Sequence, residues 1–303
     1  MLLVIGITGH SGRFFHDALI ASGYAGRVRC LVRRNSEIGF LETSPLHLEC
    51  VVGDLNEDVS LDRAMKGVQE VLHITNIRFT PAVVNAALRN GVSSVVAVHT
   101  TGLYSRFRAA SAEYESIESD LAEKLKKHPD FRLCILRPTM IFGDLDDHNV
   151  SKFVRMMDRW RIFPLIDCGS GRLQPVNARD LGRAYAAVLA LPSEDRRPEY
   201  ILSGERAVSM RELLQLILDA LGKRTRFINC PGWLGVTLAL ICKFLTLGHL
   251  DVVEKVQRMT EDRTFAHAEA TEDFGYQPEP LEQGIQREVQ AYLRARSKSI
   301  EPT

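Results

Sequence analysis

Strand, glycine-rich loop and helix succeed one another at the start of this chain, and few sequence arrangements restrict a fold as tightly. The apolar run at residues 2–5 leads into Gly6-Ile7-Thr8-Gly9-His10-Ser11-Gly12, and an amphipathic stretch occupies residues 14–22. Glycines between a strand and a helix let backbone amides approach a pyrophosphate, while the first helical turn contributes partial positive charge. Gly6, Thr8, Gly9, His10, Ser11 and Gly12 are therefore the expected pyrophosphate contacts. Their spacing is GxxGxxG rather than the GxGxxG of the commonest dinucleotide fingerprint. A glycine triplet alone serves equally well as a packing turn; its place at the opening of a β-α-β unit is what gives it weight.

The same alternation continues through the N-terminal half. Short apolar, β-branched runs at residues 28–32, 46–52, 71–74, 95–98 and 133–136 are separated by helical patterns, among them 61–66, 82–90 and 113–127. Runs that are apolar at nearly every position suit strands covered on both faces. Strand–helix–strand alternation predicts a parallel sheet with right-handed crossovers. Gly67 and Gly91 stand where helices should stop.

After residue 143 the rhythm changes. A polar loop at 144–149 precedes helical patterns at 152–160, 180–191, 211–221 and 281–295, with strands at 174–176 and 200–202. The expected fold class is α/β, a Rossmann-type doubly wound parallel sheet over residues 1–143, completed by strands near 174–181 and 200–203. Residues 144–173 and 204–303 are expected to form a smaller, mainly helical C-terminal domain that binds substrate. No internal repeat or low-complexity tract interrupts this plan.

The end of the second strand bears on which dinucleotide would fit. NAD sites place a carboxylate about 20 residues past the glycines to hold the ribose hydroxyls, whereas this strand ends in Arg33-Arg34. Guanidinium groups suit a 2′-phosphate, so NADP is expected over NAD, the alternative being a pair of solvated arginines. Gly53-Asp54-Leu55 follows the third strand, where the Asp54 carboxylate can accept from the adenine amino group. Leu55 and Thr75, the latter just beyond the fourth strand, complete the expected cofactor-binding set.

Composition removes several other classes. The 303 residues carry 38 basic and 38 acidic side chains, so no charge excess points to nucleic acid or an anionic membrane. Nine histidines show no metal-ligand spacing, and six cysteines lie far apart with no CxxC pair. Cys30, Cys50 and Cys134 fall in strand-like runs and read as small core hydrophobes; Cys168, Cys230 and Cys242 complete the set without a disulfide pattern. Residues 233–247 are strongly apolar but interrupted by Lys243 and shorter than the ~20 residues a membrane span needs. A buried or interface helix is expected there, with a surface-lying membrane contact as the alternative. The N-terminus offers no basic leader, so a reduced cytoplasm is the expected compartment.

Taken together, the motifs resemble the short-chain dehydrogenase/reductase superfamily, in particular its extended and atypical branches, which include nucleoside-diphosphate-sugar epimerases and dehydratases. The resemblance rests on Thr8-Gly9-His10-Ser11-Gly12, Gly53-Asp54-Leu55, Leu136-Arg137-Pro138 with Phe142-Gly143, and Gln174-Pro175-Val176 with Asp180-Leu181. Asp273-Phe274-Gly275-Tyr276-Gln277-Pro278 adds a segment similar to the one near the end of extended members. It implies that the stretch around Pro138 lies over the nicotinamide and that Asn149 contacts a nucleotide-sugar diphosphate. Asn149 reads equally well as a helix N-cap. Arg172 is a second candidate for the diphosphate, and pairing into a homodimer is what extended relatives imply.

The family's chemistry depends on Tyr-x-x-x-Lys, in which the lysine lowers the tyrosine pKa. Here Tyr114 is followed at that spacing by Glu118, and a carboxylate has the opposite effect. Tyr104 with Arg108 is an alternative pair, and Thr100 or Thr101 at the end of the fifth strand can bind the reacting oxygen. Two functions follow as expectations. One is an NADP-dependent oxidoreductase or epimerase acting on a small molecule, a nucleotide sugar included, through Thr100, Thr101, Tyr104 and Tyr114. The other is a non-catalytic NADP(H) binder, a redox sensor or complex subunit that has lost the Tyr-Lys pair.

Overall fold

The computed structural model describes residues 1–107, 111–147, 149–237 and 253–298. Its centre is a seven-stranded parallel sheet. In chain order the strands are β1 (Leu2–Ile5), β2 (Val28–Val32), β3 (Leu48–Val52), β4 (Glu70–His73), β5 (Ser94–Val98), β6 (Arg132–Pro138) and, much later, β11 (Glu199–Leu202). Their spatial order is β11-β6-β5-β4-β1-β2-β3. The order reverses between β1 and β4, and in such sheets ligands bind beyond the strand ends at that reversal.

Helices cover both faces. Against one face pack α3 (Asp58–Met65), α4 (Thr80–Arg89) and α5 (Ser111–Leu125), through Leu61, Met65, Val83, Val84, Ala87 and Leu121. Against the other pack α1 (His10–Ala21) and α7 (Ala178–Ala190), through Phe15, Leu19, Leu181, Tyr185 and Val188. Every residue of β1, β2 and β5 is buried, which accounts for their largely apolar sequence; the exceptions, Arg29 and Ser94, are hydrogen-bonded, Arg29 to the Ala64 and Lys66 carbonyls and Ser94 to Glu70. At the sheet's edge β3 is half-exposed. Cys50 consequently lies at the surface, whereas Cys30 and Cys134 are buried as expected of core residues. Gly67 and Gly91 both end their helices at positive φ, +71° and +69°, the conformation glycine reaches without strain.

The outer part of the chain differs from the sequence expectation in two respects. The strand at β10 (Pro175–Asn177) does not extend the main sheet; it pairs with β7 (Met140–Phe142), which leaves the sheet just after Pro138. Only β11 completes the main sheet, paired with β6. The outer domain is also less purely helical than expected. Beside α6 (Val150–Arg159), α8 (Met210–Leu221) and the helices Val253–Arg258, Ala268–Phe274 and Leu281–Lys298, it contains β8 (Ile162–Ile166) paired in parallel with β13 (Arg226–Cys230). A second small pair joins β9 (Arg172–Leu173) to β12 (Val208–Ser209) in antiparallel fashion. A separate core of Val154, Met157, Leu213, Leu214, Ile217, Ile285 and Val289 holds this part together. Among the described residues no helix is long and apolar enough to cross a membrane. Of the apolar stretch 233–247, residues 238–247 lie outside the described residues, as does Cys242; Trp233, at its start, is exposed.

Candidate functional site

The glycine loop connects β1 to α1 and closes tightly on itself. The Gly9 amide donates to the Gly6 carbonyl at 3.0 Å, and Gly6 adopts φ +98°. A Cβ on Gly6 would meet the Thr75 Cγ2 at 2.9 Å, and one on Gly12 would meet the Gly6 carbonyl oxygen at 2.2 Å. Both positions therefore admit glycine alone. Gly9 caps α1 with extended backbone and no side-chain hydrogen bond to the first amides. That turn presents N–H groups without a local acceptor, as an anion site requires.

A cleft of about 470 Å³ opens in front of the loop, at the carboxyl ends of β1, β2, β3 and β4. Its walls bring together Gly6, Thr8, Gly9, Arg33, Asp54, Leu55 and Thr75 from the sequence-derived set, together with Ser36, Asn56, Ile74 and Phe79. Arg34 lines an adjoining cleft of about 550 Å³ with Arg33, Gly53, Asp54 and Arg63. The side chains of Arg33 and Arg34 are exposed and have no ion-pair partner among the described residues. Asp54 holds its own turn, accepting from the Asn56 amide and side chain at 2.9 Å each through Oδ1, which leaves Oδ2 for another donor. The Thr75 hydroxyl lies 3.2 Å from His73 Nδ1. Burial pushes the His73 imidazole down to about 3, so this ring is neutral.

The remaining loop residues face elsewhere. His10 Nε2 lies 2.5 Å from the Gly143 carbonyl and ties the loop to the end of β7. The Ser11 hydroxyl is buried and accepts from Tyr185 at 3.4 Å. These two side chains brace the loop from behind, and only their backbone amides are placed to serve a ligand.

A second pocket, about 350 Å³, sits beyond the ends of β5 and β6, next along the sheet. Thr100, Thr101, Thr139, Asn149, Gln174, Arg258, Arg263 and Phe265 line it. The Thr100 hydroxyl accepts from the Gly102 amide at 2.9 Å, and Thr101 donates to the Pro138 carbonyl at 3.2 Å. Pro138 itself is buried behind this wall. Asn149 begins α6 without capping it; its side-chain Nδ2 donates to the Ile141 carbonyl, while Asp147 Oδ1 accepts from the Asn149 and Ser151 backbone amides and acts as the cap. Arg172 lies outside this pocket, with its side chain exposed and its backbone paired to Asp262 and Arg263. The cations that do line the pocket are Arg258 and Arg263. Burial, and then the nearby Arg258 charge, pull the Arg263 pKa down, and its Nε is buried without a hydrogen-bond partner. Sequence reading missed both because they lie far along the chain in a segment with no motif of its own.

Glu118, at the spacing of the family's lysine, does not reach a cofactor site. It forms a two-pronged pair with Arg137 at 2.7 and 2.8 Å and accepts from His99 Nδ1 at 2.7 Å. His99 Nε2 accepts from Thr80 at 3.0 Å, and Arg137 Nε reaches Glu199 at 2.9 Å. Burial pushes the Glu118 carboxyl up, but hydrogen bonds from His99 and Arg137 outweigh it and hold it at about 2. Tyr114 is buried with the Arg78 guanidinium 5.4 Å over its ring. Tyr104 is half-exposed, between Arg137 and Phe265 at 5.6 Å each, and burial raises its pKa. Arg108, its suggested partner, lies outside the described residues, as does His148.

A family model described as NAD(P)H-binding matches residues 6–157, and the chain belongs to that family. Its fold is that of the nucleoside-diphosphate-sugar epimerase and dehydratase-like members of the short-chain dehydrogenase/reductase superfamily. The mitochondrial NADH dehydrogenase [ubiquinone] 1 alpha subcomplex subunit 9 of Dictyostelium discoideum is 24% identical over 75% of this chain, which spans 65% of that protein's length. A ceramide reductase of Caulobacter vibrioides is 24% identical, with 76% of this chain and 74% of that protein covered. Among solved structures, a double mutant of the DesIV dTDP-glucose 4,6-dehydratase of Streptomyces venezuelae with NAD and DAU bound superposes with a TM-score of 0.72 at 21% identity, covering 98% of each chain.

Proposed function

We propose that the chain is an NADP(H)-dependent oxidoreductase or epimerase of the atypical short-chain type. Its substrate is a carbonyl or carbinol compound bearing an anionic group, and a nucleotide sugar meets that description. The observation that carries this reading is the alignment of the two clefts along the carboxyl edge of one sheet. The first is floored by the glycine loop, and the second, at the ends of β5 and β6, is lined by two guanidinium groups.

The cofactor would supply or accept hydride. The chain's own residues do the rest. Backbone amides of the loop hold the pyrophosphate; Arg33 and Arg34 hold a 2′-phosphate; Asp54 accepts from adenine. In the second pocket Arg263, whose Nε is buried without a hydrogen-bond partner, faces an anion, with Arg258, itself ion-paired to Glu254, beside it. Thr100 lies beside the substrate oxygen, and Tyr104, protonated at neutral pH, offers a proton from the rim.

Calorimetry with NADPH and NADH tests the cofactor half of this reading. Arg33→Ala should weaken NADPH binding by about tenfold or more, the loss of one charge-assisted contact, and leave NADH nearly unchanged. Equal losses for both would remove the 2′-phosphate role.

One observation favours a second reading. With Glu118 locked to Arg137 and Tyr114 buried under Arg78, the family's Tyr-x-x-x-Lys spacing carries no lysine here, which suits a protein that binds NADP(H) without turning it over. The two readings part in a single assay. Bound NADPH that keeps its absorbance through a panel of carbonyls and nucleotide sugars supports the binder; oxidation by any of them supports the enzyme.

A further inference from the structure

The chain has two tryptophans, and both flank the small β8–β13 sheet. Trp160, directly before β8, is 46% exposed, and Trp233, just past β13, is 71% exposed. Phe163 and Leu165 turn into the outer core, so the alternation of a strand forces Ile162 and Pro164 outward. Ile228 stands beside Pro164 in register, and Ile162 and Ile228 are 55% and 49% exposed. Ile162, Pro164 and Ile228 thus share the outward face, and Trp160 and Trp233 stand beyond its opposite ends, one before β8 and the other past the parallel β13; exposed large apolar side chains so arrayed mark a contact surface.

The same area is cationic although the whole chain is neutral. Arg159, Arg161, Arg224 and Arg226 are exposed there, and none has an ion-pair partner among the described residues. The nearby Asp158 carboxylate is already taken by Lys223 and Arg296.

We infer that this face docks on an anionic phospholipid surface. Tryptophan favours the boundary between headgroups and acyl chains, shallow apolar insertion adds binding energy, and unpaired arginines find counter-charge in the lipid headgroups. A second copy of the chain would set guanidinium groups against guanidinium groups, and so fits the surface poorly.

Emission from the full-length protein reads the contact directly, because both tryptophans lie at it. Vesicles of phosphatidylcholine with phosphatidylserine should shift the emission to shorter wavelength and carry the protein upward on flotation; phosphatidylcholine alone, or high salt, should do neither. Arg161→Gln and Arg226→Gln should each weaken binding roughly fivefold, and Ile162→Ser with Ile228→Ser should abolish it. All these positions are exposed, and an unchanged melting temperature and NADPH affinity would certify the fold. The inference falls if anionic vesicles leave the emission unmoved, or if these substitutions leave flotation intact. It falls equally if sedimentation reveals a dimer that the same substitutions dissociate, which would assign the face to a second copy.

Discussion

Glu288 lies almost fully buried on the helix Leu281–Lys298 and accepts from the Leu145 amide at 3.1 and 3.2 Å. Burial and then the Asp147 charge raise its pKa well above the usual glutamate range. Asp147 Oδ2 is buried without another partner, so the protonated Glu288 carboxyl is its natural donor. A group that holds its proton more tightly when folded contributes most at low pH, and that contribution fades as pH rises through the raised value. Glu288→Gln keeps a donor for Asp147 and an acceptor for Leu145 but cannot ionise. The variant should match the parent only in acid below the ordinary glutamate range, about pH 4, and melt progressively higher as pH rises toward the raised value, by about 2–4 °C for each kcal/mol recovered. Thermal denaturation followed by circular dichroism across pH checks this, and parallel pH profiles for the two proteins would refute it.

Sequence reading works at this scale where one residue type serves one geometry. Gly6 and Gly12 were legible because only glycine fits the loop, and Arg33 with Arg34 because a fixed strand end delivers them to the cleft. Ser11 and His10 show the limit: they sit within the motif, yet their side chains turn to Tyr185 and Gly143. Glu118 was visible as a departure, but its bond to Arg137 depends on how α5 lies against β6, and spacing along one helix carries no information about that.

Among the elements, α1 and α7 meet with little room to spare. A Cβ on Gly182 would lie 2.4 Å from the Phe14 carbonyl carbon and 2.7 Å from the Phe15 nitrogen. These are backbone atoms of the helix that presents its N-terminus to the dinucleotide cleft. Gly182→Ala must push the helices apart, and overpacking of this kind costs about 1–3 kcal/mol. Chemical denaturation should report that loss together with weakened NADPH binding, because α1 carries the glycine loop. A substitution that leaves both unchanged would show the contact to be looser than its distances. The long periodic elements could be read from sequence to within a few residues, as α8 and β5 illustrate. By contrast β8 and β13 escaped, since Pro164 breaks one pattern and Arg226 and Asn229 dilute the other. The strand at 175–177 was recognised but assigned to the wrong sheet, because its partner is fixed by the departure of the chain after Pro138, which periodicity does not record.

At the scale of the whole molecule, the nucleotide-binding half is not contiguous. Its seventh strand, β11, and the helix α7 come from residues beyond the first outer segment, and Ala270 and Tyr276 join the same core from later still. A ribosome that has released only residues 1–143 has therefore made the glycine loop but not the layer that shelters Phe15, nor the neighbour that closes the free edge of β6. Excised at that boundary, the fragment should aggregate or bind a hydrophobic dye strongly while the complete chain does not, and a well-folded, dye-silent fragment would contradict this. The dinucleotide cleft is thus no portable cassette: the glycine loop has its scaffold only once α7 and β11 have followed it out of the ribosome.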